Sequence, residues 1–325
     1  MRQSIKAKAK ELGFIACGFA KYEVLESESE KLREWLDDGK QADMAWIERG
    51  FEKRKDVRQI IPEAQSIISL AFNYYTPFEH DESKPKISRY AWGKDYHKIL
   101  KKKLKELSEY IIGTPPLPSP KGRESYSEDK IICRAYVDDG PVMDKVWAQR
   151  AGIGWMGKHT NIINPEYGSW FFLCEIITNI DFGIYDTPIE DMCGSCTLCI
   201  SACPTGAITS EYSVDANKCI SYQTIENRGE IPEDLNLDGW IFGCDVCQDV
   251  CPFNSPKYNH VTVEEGFWPI VIPNDVVESA STPLSATKPV LEQITEEQFA
   301  VVFADSPIKR TKYAGWKRNL WRIDK

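Results

Sequence analysis

The sequence predicts an α/β (α+β) domain with a mixed sheet flanked by helices, followed by a small cysteine-rich domain and a short C-terminal extension. Apolar, β-rich runs alternate with amphipathic helical patterns as far as Pro188. Eight of the eleven cysteines then fall between Cys193 and Cys251, and the chain continues beyond them without further cysteines. These observations place the predicted domains at 1–188, 189–256 and 257–325.

The elements of the first domain are predicted from apolar patterns and helix breakers. The run at 67–75, IISLAFNYY, lies between Pro62 and Pro77 and is typical of a buried strand. Two polar, proline-bearing segments, 76–88 and 113–130, are predicted loops. The other predicted elements are helices at 2–13, 28–50, about 95–112 and about 141–151, and strands at 131–137 and 169–178.

The cysteine-rich segment reads CGSCTLCISACP from Cys193 and, after an isolated Cys219, CDVCQDVCP from Cys244. In the C-x2-C-x2-C-x3-C-P arrangement, three thiolates of a run bind one iron–sulfur cluster and the fourth binds the other. The second run lacks a cysteine three residues upstream, and Cys219 is the free cysteine nearby. The spacing predicts two 4Fe–4S clusters with crossed ligands, one bound by Cys193, Cys196, Cys199 and Cys251 and the other by Cys203, Cys219, Cys244 and Cys247.

Two other uses of these cysteines fit the pattern less well. Structural zinc sites also use C-x2-C hooks, but they do not need interlocked runs that each end in Cys-Pro. Disulfides are typical of oxidising compartments and small secreted domains, whereas this chain has 325 residues. The remaining cysteines lie in apolar surroundings and are predicted core residues: Cys17, Cys133 and Cys174.

Composition limits the classes of function. The chain has 40 Lys and Arg against 49 Asp and Glu, and its net charge of −9 argues against indiscriminate nucleic-acid binding. No run approaches the ~20 apolar residues of a membrane span, and the charged N-terminus lacks an apolar signal core. We therefore expect a cytoplasmic protein without a membrane partner, and we expect a monomer.

Two groups of cations interrupt the acidic background. The first is typical of a solvated helix face and consists of Lys101, Lys102, Lys103 and Lys105. The second, the basic tail, consists of Lys309, Arg310, Lys312, Lys317, Arg318 and Arg322. Tyr313, Trp316 and Trp321 alternate with the tail cations, a combination that suits RNA phosphates and bases. Packing of these rings against the fold explains the pattern equally well, so both interpretations stay open.

Gly152, Gly154 and Gly157 form G-x-G-x-x-G and, with Lys158, also G-x-x-x-x-G-K. Neither motif predicts nucleotide binding, because the preceding apolar residues have helical spacing and His159 stands where a phosphate loop needs Ser or Thr. The glycines are predicted to end that helix and to allow a close backbone approach.

Asp138 and Asp139 follow the predicted strand at 131–137. Asp139 is nearer the next helix and is the predicted helix cap. Asp138 is left at the strand end, where both a turn residue and a catalytic acid are compatible with the pattern. Isolated histidines such as His97 and His159 are more often hydrogen-bonded structural residues than proton donors or ligands.

Several stretches, taken together, closely resemble epoxyqueuosine reductases over most of the chain. Besides the cysteine runs they are RYAWGKDYH at 89–97, VDDGPVMDK at 137–145, AGIGWMGKHTNIINPEYGSWFF at 151–172 and SPIKR at 306–310. The resemblance implies an enzyme in which cobalamin, reduced by two 4Fe–4S clusters, reduces epoxyqueuosine at the wobble position of tRNA to queuosine. It implies a cobalamin-binding domain similar to that of corrinoid reductive dehalogenases, followed by a ferredoxin-like cluster domain. The family's cobalamin lacks a histidine lower ligand, which agrees with the absence of D-x-H-x-x-G from this sequence.

The resemblance also implies residue roles. The family's proton donor, an aspartate after a strand, falls on Asp138, and the implied partners are tRNA carrying epoxyqueuosine and an unidentified electron donor. Many members continue into helical repeats after SPIKR, whereas this sequence ends at Lys325. The alternative functions are a reductive dehalogenase acting on a small molecule and a non-catalytic electron-transfer protein. Besides Asp138, the implied cobalamin contacts are Arg54, Ser88, Ile162, Leu173, Ser221 and Asp245.

Overall fold

The computed structural model describes residues 1–114, 130–270, 282 and 286–323. Most of the loop predicted at 113–130 lies outside the described residues. The strands are β1 (Ala16–Lys21), β2 (Ser66–Asn73), β3 (Lys86–Ile87), β4 (Cys133–Tyr136), β5 (Trp155–Met156), β6 (Ile162–Ile163), β7 (Phe171–Thr178), β8 (Ile208–Ser210), β9 (Ser213–Val214) and β10 (Trp240–Phe242). The α-helices are α1 (Arg2–Glu11), α2 (Glu26–Asp37), α3 (Trp46–Arg49), α4 (Phe51–Lys55), α5 (Tyr96–Gly113), α6 (Asp144–Arg150), α7 (Leu198–Ala202), α8 (Ile220–Ile225), α9 (Val246–Asp249), α10 (Lys288–Gln293), α11 (Glu296–Val302) and α12 (Lys312–Arg322).

The main sheet has the strand order β1-β2-β7-β4, and every neighbouring pair in it is antiparallel. The prediction of a mixed sheet is therefore wrong. A helix between two strands often carries the chain across the sheet into a parallel strand. Instead, the helical segment after β1 returns the chain to the end of the sheet that it left, because Lys21 pairs with Ser66. Within the described residues, a parallel pair occurs between the short strands β3 and β10.

Helices cover both faces of the main sheet. Alternate residues of a strand point to opposite faces, so each buried strand contributes to both layers. All eight residues of β2 are buried, as expected for the run at 67–75. Ile68 and Phe72 belong to the apolar cluster that includes α1 and α5, whereas Ile67 and Ala71 belong to the cluster that includes α6. The mixture of strands and covering helices predicted for the first domain is thus confirmed.

Two elements differ from prediction for local reasons. Strand β1 has no predicted counterpart, because its sequence ACGFAK contains no β-branched residue. The helix predicted at 28–50 is divided into α2 and α3, because the chain turns at Gly39, whose φ of +67° is in the left-handed region.

The described C-terminal helices pack onto the rest of the protein. Trp316 and Leu320 of α12 are fully buried in an apolar cluster that also contains Trp92 and Phe242. This segment therefore covers the β3–β10 pair, and the three domain boundaries stay a prediction. None of the helices in the described ranges is long and apolar enough to cross a membrane.

Candidate active site and cluster cavities

Eight cysteines line two cavities, four to each. The larger cavity, of about 300 Å³, is lined by Cys203, Cys219, Cys244 and Cys247. The smaller cavity, of about 220 Å³, is lined by Cys193, Cys196, Cys199 and Cys251. The structure thus brings together the two sets that crossed ligation predicts, because the last cysteine of each run leaves its neighbours and lines the other cavity.

The surroundings of these thiols suit a bound cluster. The backbone N–H of Ala207 donates to Cys203 Sγ at 3.2 Å, a contact that favours a thiolate. Burial raises the pKa of the Cys251 thiol to about 11, and a bound cationic metal would reverse that shift. Among the described residues, no three His, Cys, Asp or Glu side chains form a site for a single metal ion. The thiols instead surround spaces large enough for several atoms, which fits clusters.

Asp138 lies just beyond β4, at the start of the loop that leads to α6. Its φ of +52° is in the left-handed region, which costs free energy for a residue with a side chain. The hydroxyl of Tyr96, on α5, donates a hydrogen bond to Asp138 Oδ2 at 2.8 Å. The Tyr96 ring is held in turn by stacking on Phe172 of β7, with centroids 4.1 Å apart and planes 7° apart. The carboxylate is therefore positioned by a packed aromatic group.

A second polar group, formed by His97 and Asp95, lies beside this stack and contacts Lys309 of the basic tail. The ring of His97 stacks on Tyr96 at 4.1 Å, and His97 Nδ1 lies 2.8 Å from Asp95 Oδ1. Lys309 Nζ donates to Asp95 Oδ2 at 2.6 Å. Burial alone would raise the pKa of Asp95, but the hydrogen bonds from His97 and Lys309 outweigh burial and lower that pKa. The ionised Asp95 carboxylate thus holds the His97 ring through a hydrogen bond to Nδ1.

Asp139 is not a helix cap, so that prediction is wrong. Helix α6 begins at Asp144, and its N-cap residue Met143 makes no side-chain cap hydrogen bond. Asp139 Oδ1 instead accepts from the backbone N–H of Val137 at 2.9 Å, and its Oδ2 pairs with Lys101 Nζ at 2.5 Å. The helix begins later than predicted, so Asp139 closes the turn at the strand end.

Two side chains that line the larger cavity, Tyr90 and Lys145, feel the charge of Asp138, and the Tyr90 ring meets the Tyr96 ring edge-on with centroids 6.1 Å apart. Burial raises the pKa of Tyr90, and the charge of Asp138 acts in the same direction. Burial lowers the pKa of Lys145, whereas the charges of Asp138 and Cys247 oppose that shift. The larger cavity therefore connects the thiols with the side of the protein that carries Asp138.

The predicted cobalamin contacts fall in different places. Ser88 and Ser221 line the larger cavity. Asp245, 1% exposed, accepts hydrogen bonds from the Ser88 hydroxyl and from the backbone N–H of Arg89, and burial raises its pKa to about 7. The others are Ile162 and Leu173, in the apolar cluster of α6, and Arg54, which donates to the carbonyl of Ile47.

A buried carboxyl pair, Asp144 and Glu175, is not among the residues predicted from the sequence. Glu175 is fully buried on β7, opposite Tyr136 of β4, and it accepts from the Ser69 hydroxyl at 3.3 Å. Asp144 Oδ1 and Glu175 Oε2 are buried and have no hydrogen-bond partner among the described residues. Burial raises the pKa of both, and the charge of Asp138 adds to the effect. A lone Glu in an apolar run was the available clue.

The glycine motif has a structural role. Gly152, with φ of +70°, follows the end of α6. A Cβ on Gly154 would lie 2.2 Å from the carbonyl oxygen of Ile163, so the predicted close backbone approach is confirmed. Lys158 donates to the carbonyl of Gly194 at 2.7 Å and pairs with Glu211, also at 2.7 Å.

Several tail cations are engaged within the chain. Besides Lys309, Arg310 pairs with Glu226 at 2.8 Å, and Arg318 donates to backbone carbonyls that follow α8. Trp316 is fully buried, whereas Trp321 is 56% exposed. Packing therefore accounts for much of the tail pattern, and contact of the tail with tRNA stays a prediction.

Two family models match the chain. The model described as "Epoxyqueuosine reductase QueG, DUF1730" matches residues 54–139, and the model described as "4Fe-4S double cluster binding domain" matches residues 192–254. The first match includes Asp138, and the second includes all eight cavity cysteines.

Full-length relatives agree with these matches. The epoxyqueuosine reductase of Cellulophaga algicola is 44% identical, with 97% of this chain and 95% of that protein covered. The epoxyqueuosine reductase of Leadbetterella byssophila is 42% identical, with 98% and 96% covered. A solved epoxyqueuosine reductase with a tRNA-Tyr epoxyqueuosine-modified stem loop is 30% identical, with a TM-score of 0.80 and with 99% of this chain and 80% of that chain covered. At this identity over nearly the whole of both proteins, the chain belongs to the epoxyqueuosine reductase family.

Proposed function

We propose that this protein reduces epoxyqueuosine to queuosine at the wobble position of tRNA. The observation that carries the proposal is the carboxyl group of Asp138, which Tyr96 holds, because the Tyr96 ring meets Tyr90 in the wall of a cavity lined by four thiols. A proton donor next to an electron-transfer centre is what removal of an epoxide oxygen requires. The solved relative that holds an epoxyqueuosine-modified stem loop supports the same substrate.

The proposed clusters occupy the two cavities. The smaller cavity would hold the cluster of Cys193, Cys196, Cys199 and Cys251, and the larger that of Cys203, Cys219, Cys244 and Cys247. Tyr90 in the wall of the larger cavity meets Tyr96, which holds Asp138, so the cluster of the larger cavity would be the one that passes electrons toward the reaction. The electrons come from a donor outside this chain, and we place the reaction in the cytoplasm.

Cobalamin is the proposed second cofactor, and it would lie against the polar side chains in the wall of the larger cavity. Hydroxyls from Ser88, Tyr90 and Ser221 and the ammonium of Lys145 offer polar contacts there. Asp245 accepts a hydrogen bond from the Ser88 hydroxyl and so fixes that side chain. Ile162 and Leu173 in the α6 cluster, and Arg54 beside the Ile47 carbonyl, would contact cobalamin from other parts of the fold. When bound, cobalamin would supply a strongly reducing centre beside the epoxide.

The residues of the chain account for the acid chemistry. Conversion of the epoxide to an alkene and water consumes two electrons and two protons, and it breaks both carbon–oxygen bonds. Asp138 gives a proton to the oxygen as the first bond breaks, and the Tyr96 hydroxyl then stabilises the resulting carboxylate. A positioned general acid of this kind contributes roughly 10²–10⁴-fold to a rate. The second proton comes from solvent, and the oxygen leaves as water.

The test uses anaerobically purified protein loaded with cobalamin and given a chemical reductant. Transfer RNA that carries epoxyqueuosine is the substrate, and nucleoside mass spectrometry measures queuosine. We expect conversion that depends on cobalamin. Protein that holds both cofactors but forms no queuosine would contradict the proposal, and a halogenated phenol assayed in parallel would reveal a dehalogenase instead.

A further inference from the structure

His159 occupies the wall between the two cysteine cavities. Its side chain lines both the larger and the smaller cavity, although the residue is only 3% exposed to solvent. It follows Lys158 in the turn between β5 and β6, and none of the acid chemistry proposed above uses it. A buried histidine in this position adjoins the space of both clusters.

The hydrogen bonding of the ring fixes its tautomer. His159 Nδ1 accepts a hydrogen bond from the backbone N–H of Asn161 at 3.1 Å, so the proton of the neutral ring is on Nε2. His159 Nε2 is buried, and it has no hydrogen-bond partner among the described residues. A buried N–H without an acceptor is unfavourable, so an acceptor is expected in one of the adjoining cavities.

The ring is held in its neutral form by its surroundings. Burial lowers the pKa of His159 to about 4, and the positive charge of Lys145 acts in the same direction. At neutral pH the ring therefore offers a single N–H. The ring lines both cavities that contain the eight cysteines. With clusters bound there, cluster sulfides and cysteine thiolates would be the available hydrogen-bond acceptors.

We propose that His159 donates its Nε2–H to a sulfur atom of one of the two iron–sulfur clusters and raises the reduction potential of that cluster. The inference rests on the cluster assignment in the proposed function. A hydrogen bond to sulfur withdraws electron density from the cluster and favours its reduced form. The histidine would thus set the relative potentials of two clusters that share one wall.

The experiment compares His159→Leu, which removes the N–H, with His159→Gln, whose amide keeps an N–H. Both clusters are titrated electrochemically in anaerobic protein and followed by electron paramagnetic resonance. In His159→Leu we expect one cluster to be about tenfold harder to reduce, a shift of about 59 mV to more negative potential for one electron. His159→Gln should stay close to wild type. The control is His260→Leu, since His260 is exposed and stacks on Tyr167.

Unchanged potentials in His159→Leu would overturn the proposal, as would equal shifts in His159→Leu and His159→Gln. If His159→Leu loses its clusters, the wild type still decides the matter. Pulsed electron paramagnetic resonance of reduced protein with isotopically labelled histidine should detect a magnetic coupling between a histidine ring nitrogen and a cluster. That coupling should vanish in His159→Gln. Absence of that coupling in the wild type would refute the hydrogen bond. Wild-type protein without iron and sulfide would instead refute the cluster assignment itself.

Discussion

The cysteine-rich segment and the Asp138 region assemble their functional groups in different ways. Neighbours in the cysteine runs are neighbours in space, and only the last cysteine of each run crosses to the other cavity. Asp138 instead depends on distant parts of the chain, since Tyr96 comes from α5 and Lys309 reaches the region through Asp95. Substitutions in the cysteine segment should therefore remove a cofactor. Substitutions near Asp138 should slow the chemistry while both clusters stay bound.

The largest effect is expected from Cys219→Ala. The variant should lose the cluster of the larger cavity, lowering iron from about eight to about four per chain, and queuosine formation should become undetectable because the electron route is cut. Iron and sulfide analysis with anaerobic activity assays measures both outcomes. Cys17→Ala is the matched control, because Cys17 packs against the apolar core of the sheet. Full iron content in Cys219→Ala would show that this thiol is not a ligand.

Asp138→Asn should leave both clusters bound and lower the single-turnover rate roughly 10²–10⁴-fold, because the amide keeps the shape but has no acidic proton. Asp139→Asn is the comparison, since Asp139 accepts from Val137 and pairs with Lys101. In Asp139→Asn we expect a smaller loss of rate, because only the turn after β4 is disturbed. Equal rates in wild type and Asp138→Asn would assign the proton to another group.

Tyr96→Phe should have a smaller effect of the same kind. The substitution removes the hydroxyl that donates to Asp138 Oδ2 but keeps the ring that stacks on Phe172. Loss of one hydrogen bond to a carboxylate is worth about tenfold in rate. Rapid-quench measurements with pre-reduced enzyme test this expectation. A larger loss in Tyr96→Phe than in Asp138→Asn would make the tyrosine the principal acid.

The comparison also explains what the sequence could predict. The two sets of cysteines that line the cavities could be predicted from spacing, because iron–sulfur chemistry requires thiols at fixed intervals. Asp138 was singled out by the family resemblance, because its place after a strand suits a turn residue equally well, and its Tyr96 contact needed the fold. Asp139 shows the limit of local rules, because the helix that it was expected to cap begins at Asp144. Similarly, strand pairing depends on long-range register, so the antiparallel sheet was not visible in the alternation of elements.

The Asp144–Glu175 pair predicts a pH dependence of stability. Burial raises the pKa of Glu175 in the folded protein, so folding favours its protonated form. Its contribution to the free energy of unfolding is full below the ordinary glutamate pKa, about 4.3, and is lost as pH rises through the folded value. Glu175→Gln cannot ionise, so its unfolding temperature should fall less than that of wild type between mildly acidic and alkaline pH. Glu166→Gln, at an exposed site, should follow wild type.

The smallest effect is expected in the basic tail. Lys309 and Arg310 are 43% and 56% exposed, and each already pairs with a carboxylate, Asp95 or Glu226. Each full phosphate contact changes the slope of log affinity against log salt by about 0.7–0.9. Replacing Lys309 and Arg310 with Met should therefore change the slope for tRNA binding by less than the amount expected for one full contact. Turnover should decrease as well, because Asp95 loses the cation that helps it to hold His97. Salt titrations of tRNA binding, with Lys312→Met as the exposed comparison, separate the two effects. A slope lowered by two full contacts would show that the tail binds phosphate directly and that its internal ion pairs open when tRNA binds.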